Sequence, residues 1–356
     1  MERLSEKEWA TETIGDAFSV SGTTTTHPSK LAENGSTPRI TCASVNNGLD
    51  NCYGNEPTEQ GGVLTVDSAT VGTVLFQPSD FIATDHVEKI SGDKAFSEAE
   101  GLFIKTCIDV SAAGKYQYGY KFSQNRIKRQ KLMLPVDDKG KPDYAYMTLY
   151  SAKVGGGMVM RYKNFIAGQL SQLEHKDIPA LVEKEWKPVL ISSMFELVRG
   201  RENNMAMLED GDTPLISAKA NNNGLKGFVH NPKKIITGQC ITLNNDGDGG
   251  AGLAYYQPAN MALDSHVTAL VPLFDMSAFA MLFIAKCISG LHGFFGHGLS
   301  ISNPRAKRLR IMLPVTDSGE PDYAYMEQYA KNMMLKKYKQ YLAFIDRQSA
   351  AEEVNI

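Results

Sequence analysis

With 356 residues the chain is about twice as long as a usual domain, so two domains are expected. Hydrophobic residues make up 42% and charged residues 22%, which is typical of a globular protein and argues against disorder. The formal net charge of −3, from 37 basic and 40 acidic residues, argues against a protein that coats nucleic acid through bulk charge alone. Any phosphate contacts would need a local basic face or a partner that supplies charge.

The first residues, MERLSEKEWATE, are charged and lack the apolar run of a signal peptide. No segment approaches the ~18 uninterrupted apolar residues of a membrane helix. A cytoplasmic location is therefore expected.

The chain repeats itself in tandem. The phrase MLPVDDKGKPDYAYM at 133–147 returns as MLPVTDSGEPDYAYM at 312–326, with twelve of fifteen positions identical and an offset of 179 (312 − 133). KEW at 7–9 returns at 184–186, and NNGL at 46–49 returns at 222–225. Offsets that stay this close along the chain indicate two homologous units with short loop insertions.

The sequence of each unit predicts the same secondary-structure elements in the same order. Short apolar runs precede Asn-Gly turns, β-rich runs follow between Gly and Pro residues, an apolar segment favours a helix over a buried strand, and an LPV strand closes the unit. In chain order the pairs are RITCASV and PLISAKA, GGVLTV and GQCITL, VLFQP and LAYYQP, AEGLFIKTCI and FAMLFIAKCI, KLMLPV and RIMLPV. The pattern predicts a strand-rich α+β domain, occurring twice.

A long helix is predicted after each closing strand. The second begins near Pro321 and extends to about Glu353, which corresponds to about 50 Å at 1.5 Å per residue. Its apolar residues recur every three or four positions and so share one face. The first helix begins in the same way at Pro142, but Gly155, Gly156 and Gly157 interrupt it at a cost of roughly 2 to 3 kcal/mol relative to alanine. A break or kink is favoured there, and a close backbone contact with a partner helix is the alternative.

No catalytic or metal-binding signature is complete. NNDGDG at 244–249 opens like a calcium-binding loop, yet Tyr255 stands where a bidentate Glu is needed, so a Gly-rich hairpin loop is predicted. GGAGLAYY and VGGGMVM are not phosphate-binding loops. His86 and His266 occupy matched positions without a second ligand nearby and are interpreted as structural. The five cysteines have no zinc-like spacing, and structural thiols are predicted.

Two matched basic runs, NRIKRQK at 125–131 and PRAKRLR at 304–310, directly precede the closing strands. Aromatic, amide and basic residues lie before them in KYQYGYKF and LHGFFGHGLSISN. Such side chains can hold phosphates and contact base edges, whereas one run alone would indicate only a solvated turn. The candidate DNA-binding residues are Asn46, Asn47, Lys115, Tyr118, Lys121, Arg126, Lys128, Arg129, Asn222, Asn223, Lys226, His297, Asn303, Arg305, Lys307 and Arg308.

In this order the motifs resemble the specificity subunits of type I restriction-modification systems and the similar subunits that partner fused endonuclease-methyltransferases in type IIB enzymes. The likeness covers nearly the whole chain. Each unit begins near EW (Trp9, Trp186), passes through NNGL and a GLAYYQ-like strand, and ends in MLPV and PDYAYM before a long helix.

The resemblance implies a non-catalytic subunit with two α+β target-recognition domains, at 1–140 and 179–319. Each would read one half of a split DNA site. The helices at 141–178 and 320–356 would pack as an antiparallel coiled-coil spacer and bind methyltransferase subunits, alone or fused to an endonuclease, with a restriction subunit in some systems. The implied docking residues are Tyr144, Met147, Tyr150, Tyr162, Tyr323, Met326, Met334, Tyr338, Tyr341 and Ile345.

No cofactor is expected in this chain, because S-adenosylmethionine, magnesium and ATP would be used by the partner subunits. Two other functions compete with DNA specificity. One is a tandem ligand-binding or scaffold protein with no role in nucleic-acid binding. The other is a self-sufficient nuclease, which the absence of paired carboxylates beside a lysine disfavours.

Overall fold

The computed structural model describes residues 2–69, 71–204, 207–246, 250–296 and 298–354. The chain forms two compact units, Met1–Tyr162 (unit 1) and Lys163–Ile356 (unit 2). In the part that the structure describes, no helix is both long and apolar enough to cross a lipid bilayer. The fourfold division of the chain at 140, 178 and 319 stays a prediction.

Within the residues described, unit 1 contains nine strands, two short α-helices, a 15-residue α-helix and the start of a longer helix. Its elements are β1 (Trp9–Thr13), α1 (Ile14–Ala17), β2 (Ser19–Gly22), β3 (Thr37–Ile40), β4 (Leu49–Tyr53), β5 (Val63–Asp67), β6 (Val74–Gln77), β7 (Ile82–Ala83), β8 (Val87–Ser91), α2 (Glu98–Ala112), α3 (Gln124–Arg129), β9 (Lys131–Pro135) and α4 (Tyr144–Leu170), whose last turns belong to unit 2.

The strands of unit 1 form a four-stranded antiparallel sheet, β2-β8-β5-β6, a smaller sheet, β4-β3-β7, and the separate pair β1-β9. α2 packs on the larger sheet through buried Ile104 and Ile108, and Leu64 lies opposite them in the same core. The N-terminus of α2 is fixed by a capping box between Ser97 and Glu100. The apolar segment AEGLFIKTCI is therefore a helix, as predicted.

Unit 2 repeats this architecture. Its elements are β10 (Trp186–Leu190), α5 (Ile191–Met194), β11 (Phe195–Arg199), β12 (Asp210–Ile216), β13 (Leu225–Val229), β14 (Ile235–Ile236), β15 (Cys240–Asn244), β16 (Ala254–Gln257), β17 (Met261–Leu263), β18 (Val267–Pro272), α6 (Ala278–Ser289), α7 (Asn303–Arg308), β19 (Arg310–Pro314) and α8 (Tyr323–Val354). Its sheets are β11-β18-β15-β16, β13-β12-β17-β14 and the pair β10-β19. Two tandem α+β domains, each followed by a long helix, are thus confirmed.

The repeated phrase PDYAYM joins each domain to its long helix. Lys7 donates to Asp143 Oδ2 at 2.8 Å, and Asp143 Oδ1 accepts from the N–H of Tyr146 in the first turn of α4. The same pair recurs as Lys184 and Asp322 at 2.8 Å. In each unit, the lysine of KEW and the aspartate of PDYAYM thus form an ion pair, called the clamp below, that joins the two segments.

The charges of this clamp shift the pKa values of its carboxyl groups. The hydrogen bond from Lys7 and then the N–H of Tyr146 lower the pKa of Asp143. At Asp322 burial raises the pKa, but the hydrogen bonds from Lys184 and the N–H of Tyr325 outweigh burial, and the pKa falls below its ordinary value. Both carboxylates therefore stabilise the clamp in their ionised form.

α4 runs as one helix through Gly155, Gly156 and Gly157, so the predicted break is wrong. A Cβ on any of the three would have no heavy atom within 4 Å among the described residues. The alternative, a close backbone contact with a partner helix, stays a prediction.

Within unit 2, the end of α4 runs antiparallel to α8. Lys163 pairs with Asp346 at 2.7 Å, whereas Gln328, near the start of α8, donates to the carbonyl of Glu174. Lys163 therefore lies beside the later part of α8, and Glu174, a few residues further along the chain, lies beside its start. This order requires α4 to point toward the start of α8. Ile166 on α4 and Ile345 on α8 are buried.

Candidate nucleic-acid interface

The two basic runs form the short helices α3 and α7, each held on its domain by one apolar residue. Ile127 on α3 and Ala306 on α7 are completely buried. The next two residues in each helix are exposed cations, Lys128 and Arg129 in unit 1 and Lys307 and Arg308 in unit 2. No ion pair to any of these four cations occurs in the part of the chain that the structure describes. Each domain therefore presents two cations whose charge is not neutralised by a neighbouring carboxylate.

An aromatic loop precedes α3 and supports part of the predicted site. Tyr116 stacks on Tyr120 and on buried Phe122, with ring centroids 5.9 and 4.0 Å apart. Arg126 lies 3.8 Å from the ring centre of Tyr120 and donates to the carbonyl of Lys121. The structure thus brings Arg126 and Lys121 together and fixes the loop by ring stacking.

The tip of this loop carries an aromatic ring that faces water, with a half-buried lysine beside it. Tyr118 is 78% exposed, and Lys121 Nζ lies 5.4 Å from its ring centre. Lys115 is also exposed. A solvent-facing ring beside cations can stack on a base or sugar while the cations contact phosphates.

In unit 2 the corresponding loop forms a matching tight turn, since Gly296 bridges to Leu299 as Gln117 bridges to Tyr120. Phe294 is 71% exposed there. Arg305 donates to the carbonyl of Ser300, and Asn303 accepts from Thr268 Oγ1 at 3.0 Å. His297 lies outside the described residues.

The Asn-Asn-Gly turns have a structural role. Asn46, Asn47, Asn222 and Asn223 all have φ near +50°, a left-handed conformation that asparagine tolerates better than most residues. The side chain of Asn47 donates to the carbonyl of Phe76, and Asn223 donates equivalently to Tyr256. These two amides tie the turn to the neighbouring strand, and all four asparagines are exposed.

A cleft of about 680 Å³ in unit 2 contains the predicted residue Lys226 together with residues that the sequence did not indicate. His266 lines the cleft, is exposed and bonds through Nδ1 to Asp246 Oδ1 at 2.7 Å. The structure thus gives His266 a carboxylate partner that the sequence did not indicate, and its interpretation as a structural residue stays a prediction. Lys219 and Asp246 were missed because the partners lie in separate loops that only the fold brings together.

The calcium-loop motif at 244–249 lies partly outside the described residues, at 247–249. Asn244 ends strand β15 and is buried, and Asp246 pairs with His266. Among the residues described, no cluster of His, Cys, Asp and Glu could hold a metal ion.

The predicted docking residues fall into two groups. Met147 and Met326 are fully buried, and Tyr144, Tyr150 and Tyr323 pack partly against the same cores. These five side chains anchor each long helix to its own domain, and the burial of the two methionines leaves them no surface for a partner. Ile345 is buried, and Tyr162, Met334 and Tyr338 are half-buried, whereas Tyr341 is exposed.

An apolar stripe that the prediction omitted lies further along α4. Val154, Met158 and Phe165 recur at spacings of four and seven residues, share one helix face, and are 43 to 59% exposed. Met147 lies on the same face. The face that anchors α4 therefore continues along the helix as exposed apolar side chains.

Residues 6–154 and 183–342, one range in each repeat, match the family described as the type I restriction modification DNA specificity domain. The chain belongs to this family. It is a specificity subunit of a restriction-modification system, with two tandem recognition domains, and it recognises DNA without catalysing the reactions of the complex. Subunits of this family bind DNA and assemble with methylase and restriction subunits.

Among curated proteins, the chain is similar to the type II restriction enzyme specificity subunit S.BcgI of Heyndrickxia coagulans. The two are 26% identical over 338 residues, which cover 92% of this chain and 94% of that protein. Among solved structures it is similar to the type I S subunit from M. genitalium, with 11% identity, a TM-score of 0.48, and coverage of 99% and 95%. The HsdS subunit from Thermoanaerobacter tengcongensis matches with 15% identity, a TM-score of 0.33, and coverage of 96% and 91%.

Proposed function

We propose that each unit of this specificity subunit reads one half of a bipartite DNA sequence and that the long helices hold the methyltransferase subunits which act on it. The single observation that carries the proposal is the matched pair of basic helices. α3 and α7 occupy the same place in their domains, are fixed by a buried residue, and present two exposed cations each. A duplicated phosphate-binding element is what a reader of two half-sites requires.

Partner docking is proposed on the exposed apolar surface of the long helices. Val154, Met158 and Phe165 supply it on α4, and Tyr341 and Phe344 stack with centroids 6.0 Å apart on α8. Exposed contiguous apolar surface marks interaction sites, because leaving it in water is unfavourable. Of the residues predicted to dock, Tyr341 fits this role best.

The chemistry is proposed to reside in the partners. S-adenosylmethionine would be bound by a methyltransferase subunit, and magnesium and ATP would serve cleavage. The similarity to a type II specificity subunit favours a type IIB assembly, in which the methyltransferase is fused to an endonuclease, over one with a separate restriction subunit. The proposed place of action is the cytoplasm.

The proposal is tested by reversing the charge of both basic helices in the complex of this chain with its methyltransferase. The variant Lys128→Glu, Arg129→Glu, Lys307→Glu, Arg308→Glu should lose DNA binding and methylation. The slope of log affinity against log salt should fall by roughly 0.9 for each phosphate contact removed. Binding is measured by fluorescence anisotropy at several salt concentrations, on the duplex that the unaltered complex selects from a randomised library.

The matched control carries Lys139→Glu and Lys141→Glu, two exposed lysines in the turn before α4. It should bind DNA like the unaltered complex. The double variants in α3 or α7 alone should each weaken recognition of one half-site. Full methylation by the fourfold variant would refute the proposal and favour a tandem ligand-binding or scaffold protein.

A further inference from the structure

The cleft in unit 2 is lined by side chains that can form hydrogen bonds with a nucleic acid. Its lining includes Lys219, Lys226, Asp246, Asp264, His266 and Ser300. The lysines, carboxylates, imidazole and hydroxyl of this lining offer hydrogen-bond donors and acceptors, and apolar atoms line the cleft as well. Side chains of this kind can contact the polar groups of a base edge.

His266 is held in one orientation at this cleft. Its Nδ1 lies 2.7 Å from Asp246 Oδ1, and its backbone N–H donates to Asp264 Oδ1 at 3.0 Å. The carboxylate of Asp246 accepts a hydrogen bond, so Nδ1 carries the proton and Nε2 is left as an acceptor in the neutral ring. With 57% of the side chain exposed, the ring is oriented by the protein but faces solvent.

A buried amide fixes the loops that carry this pair. Asn245, only 1% exposed, accepts from Thr268 Oγ1 and donates to the carbonyl of Ile301 at 2.6 Å. Its backbone N–H donates to the carbonyl of His266. Asn245, which directly precedes Asp246, thus ties that loop to the loop of His266 and to the chain that follows Ser300. A buried and satisfied polar network of this kind makes the lining rigid.

The two units share their scaffold but not this cleft. The N–H of Thr84 donates to Ile40, and the N–H of Asp264 donates to Ile216 in the same place, so Asp264 corresponds to Thr84. By the same comparison His266 corresponds to His86, Asp246 to Ala69, and Lys226 to Asp50. In contrast, the glutamine that ends β6 and β16 is the same in both units, since Gln77 donates to the carbonyl of Asn47 and Gln257 donates to that of Asn223.

The change of partners alters what the histidine can do. His86 has no counterpart of Asp246, and its Nε2 lies 3.6 Å from Asp85, beyond hydrogen-bonding distance. Asp50 is engaged by Arg39 at 2.7 Å. Two domains that bind different half-sites must differ where they contact bases while keeping their turns and sheets alike. The cleft positions differ in this way.

We propose that His266, oriented by Asp246, reads a base in the half-site bound by unit 2, with Lys226 holding the adjacent phosphate. This inference rests on the proposed reading of half-sites. Nε2 accepts a hydrogen bond from the exocyclic amino group of adenine or cytosine, the donors that these bases present in the major groove. Thymine, which presents an acceptor and a methyl group, is rejected at that position.

The test uses the full complex with its methyltransferase and a library of randomised DNA duplexes, sequenced after rounds of binding. The unaltered complex should select a split sequence. The complex with His266→Ala should lose the base preference at one position of one half-site. Its affinity for the best duplex should fall roughly 5-fold to 100-fold. Asp246→Ala should weaken the same preference, since the ring loses its fixed orientation.

The matched control is His86→Ala, the equivalent change in unit 1, which should leave the position read by His266 unchanged. A thermal melt checks folding, and Asp246→Ala tests the same base position if His266→Ala unfolds. Unchanged selectivity at every position for folded His266→Ala or, if that variant unfolds, for Asp246→Ala would overturn the inference while half-site reading stands. If the unaltered complex selects no split sequence, half-site reading itself fails and the inference fails with it.

Discussion

Replacing Gly155, Gly156 and Gly157 with alanine should stabilise α4 rather than disturb it. Each glycine is in a helix, and a Cβ at any of the three has open space around it within the described residues. Alanine is favoured over glycine in a helix interior by about 1 kcal/mol per residue. Three substitutions therefore stabilise this stretch by roughly 2 to 3 kcal/mol.

Amide hydrogen exchange is the assay of choice, because the effect is local. Amides between residues 150 and 165 exchange through opening of the helix, and 2 to 3 kcal/mol corresponds to exchange about 30-fold to 150-fold slower. A contrasting variant is Gly101→Ala in α2. It gains the same helix propensity, but its Cβ would overlap the ring of Phe76, so it should destabilise unit 1.

Faster or unchanged exchange in the triple-alanine variant would refute the assumption that these glycines are free of contacts in the isolated chain. The same variant also tests the predicted approach of a partner helix. If a methyltransferase helix crosses α4 at the glycines, the added methyl groups weaken its binding while the isolated chain becomes more stable. Copurification with the partner separates the two effects.

Other changes should have equally specific results. The pKa values of Asp143 and Asp322 lie below the ordinary value of 3.8. The stability that their clamps contribute is therefore present above that pH and is lost as the pH falls below it. Urea unfolding between pH 3 and 6 can measure this loss. Burial raises the pKa of Cys107, Cys240 and Cys287 to about 11, so at pH 8 iodoacetamide should label them slowly in the folded chain and rapidly in urea, as mass spectrometry can show. Met326→Ala should cost about 2 to 5 kcal/mol in unit 2, whereas Met333→Ala, at an exposed position of α8, should cost little in calorimetry.

The repeat allowed most of the fold to be predicted. Each ambiguous segment could be compared with its copy, and both copies of the apolar run, α2 and α6, are helices. The exception was the glycine triplet, where propensity indicated a break. α4 is anchored by buried Met147 near its start and by buried Ile166 near its end. Helix formation is cooperative, so residues of low propensity between two anchored turns remain helical.

The site was less predictable, because its geometry depends on contacts between distant residues. The basic runs stood out in the sequence, and their exposure followed from one buried residue in each helix. The sequence did not indicate that the amides of Asn47 and Asn223 donate to a neighbouring strand, and their contact with DNA stays a prediction. His266 looked unaccompanied, because its partner Asp246 is reached only where β15 and β18 lie side by side.

The pairing of β1 with β9, and of β10 with β19, has a consequence for how such proteins can change. The chain enters and leaves each domain on adjacent antiparallel strands, and the Lys-Asp clamp fastens both ends beside the helix that follows. A domain joined to the rest in this way can be exchanged as a cassette for another that carries the same two strands. If the long helices hold the methyltransferase as proposed, such an exchange would change the DNA sequence that is recognised and leave the docking surface unchanged.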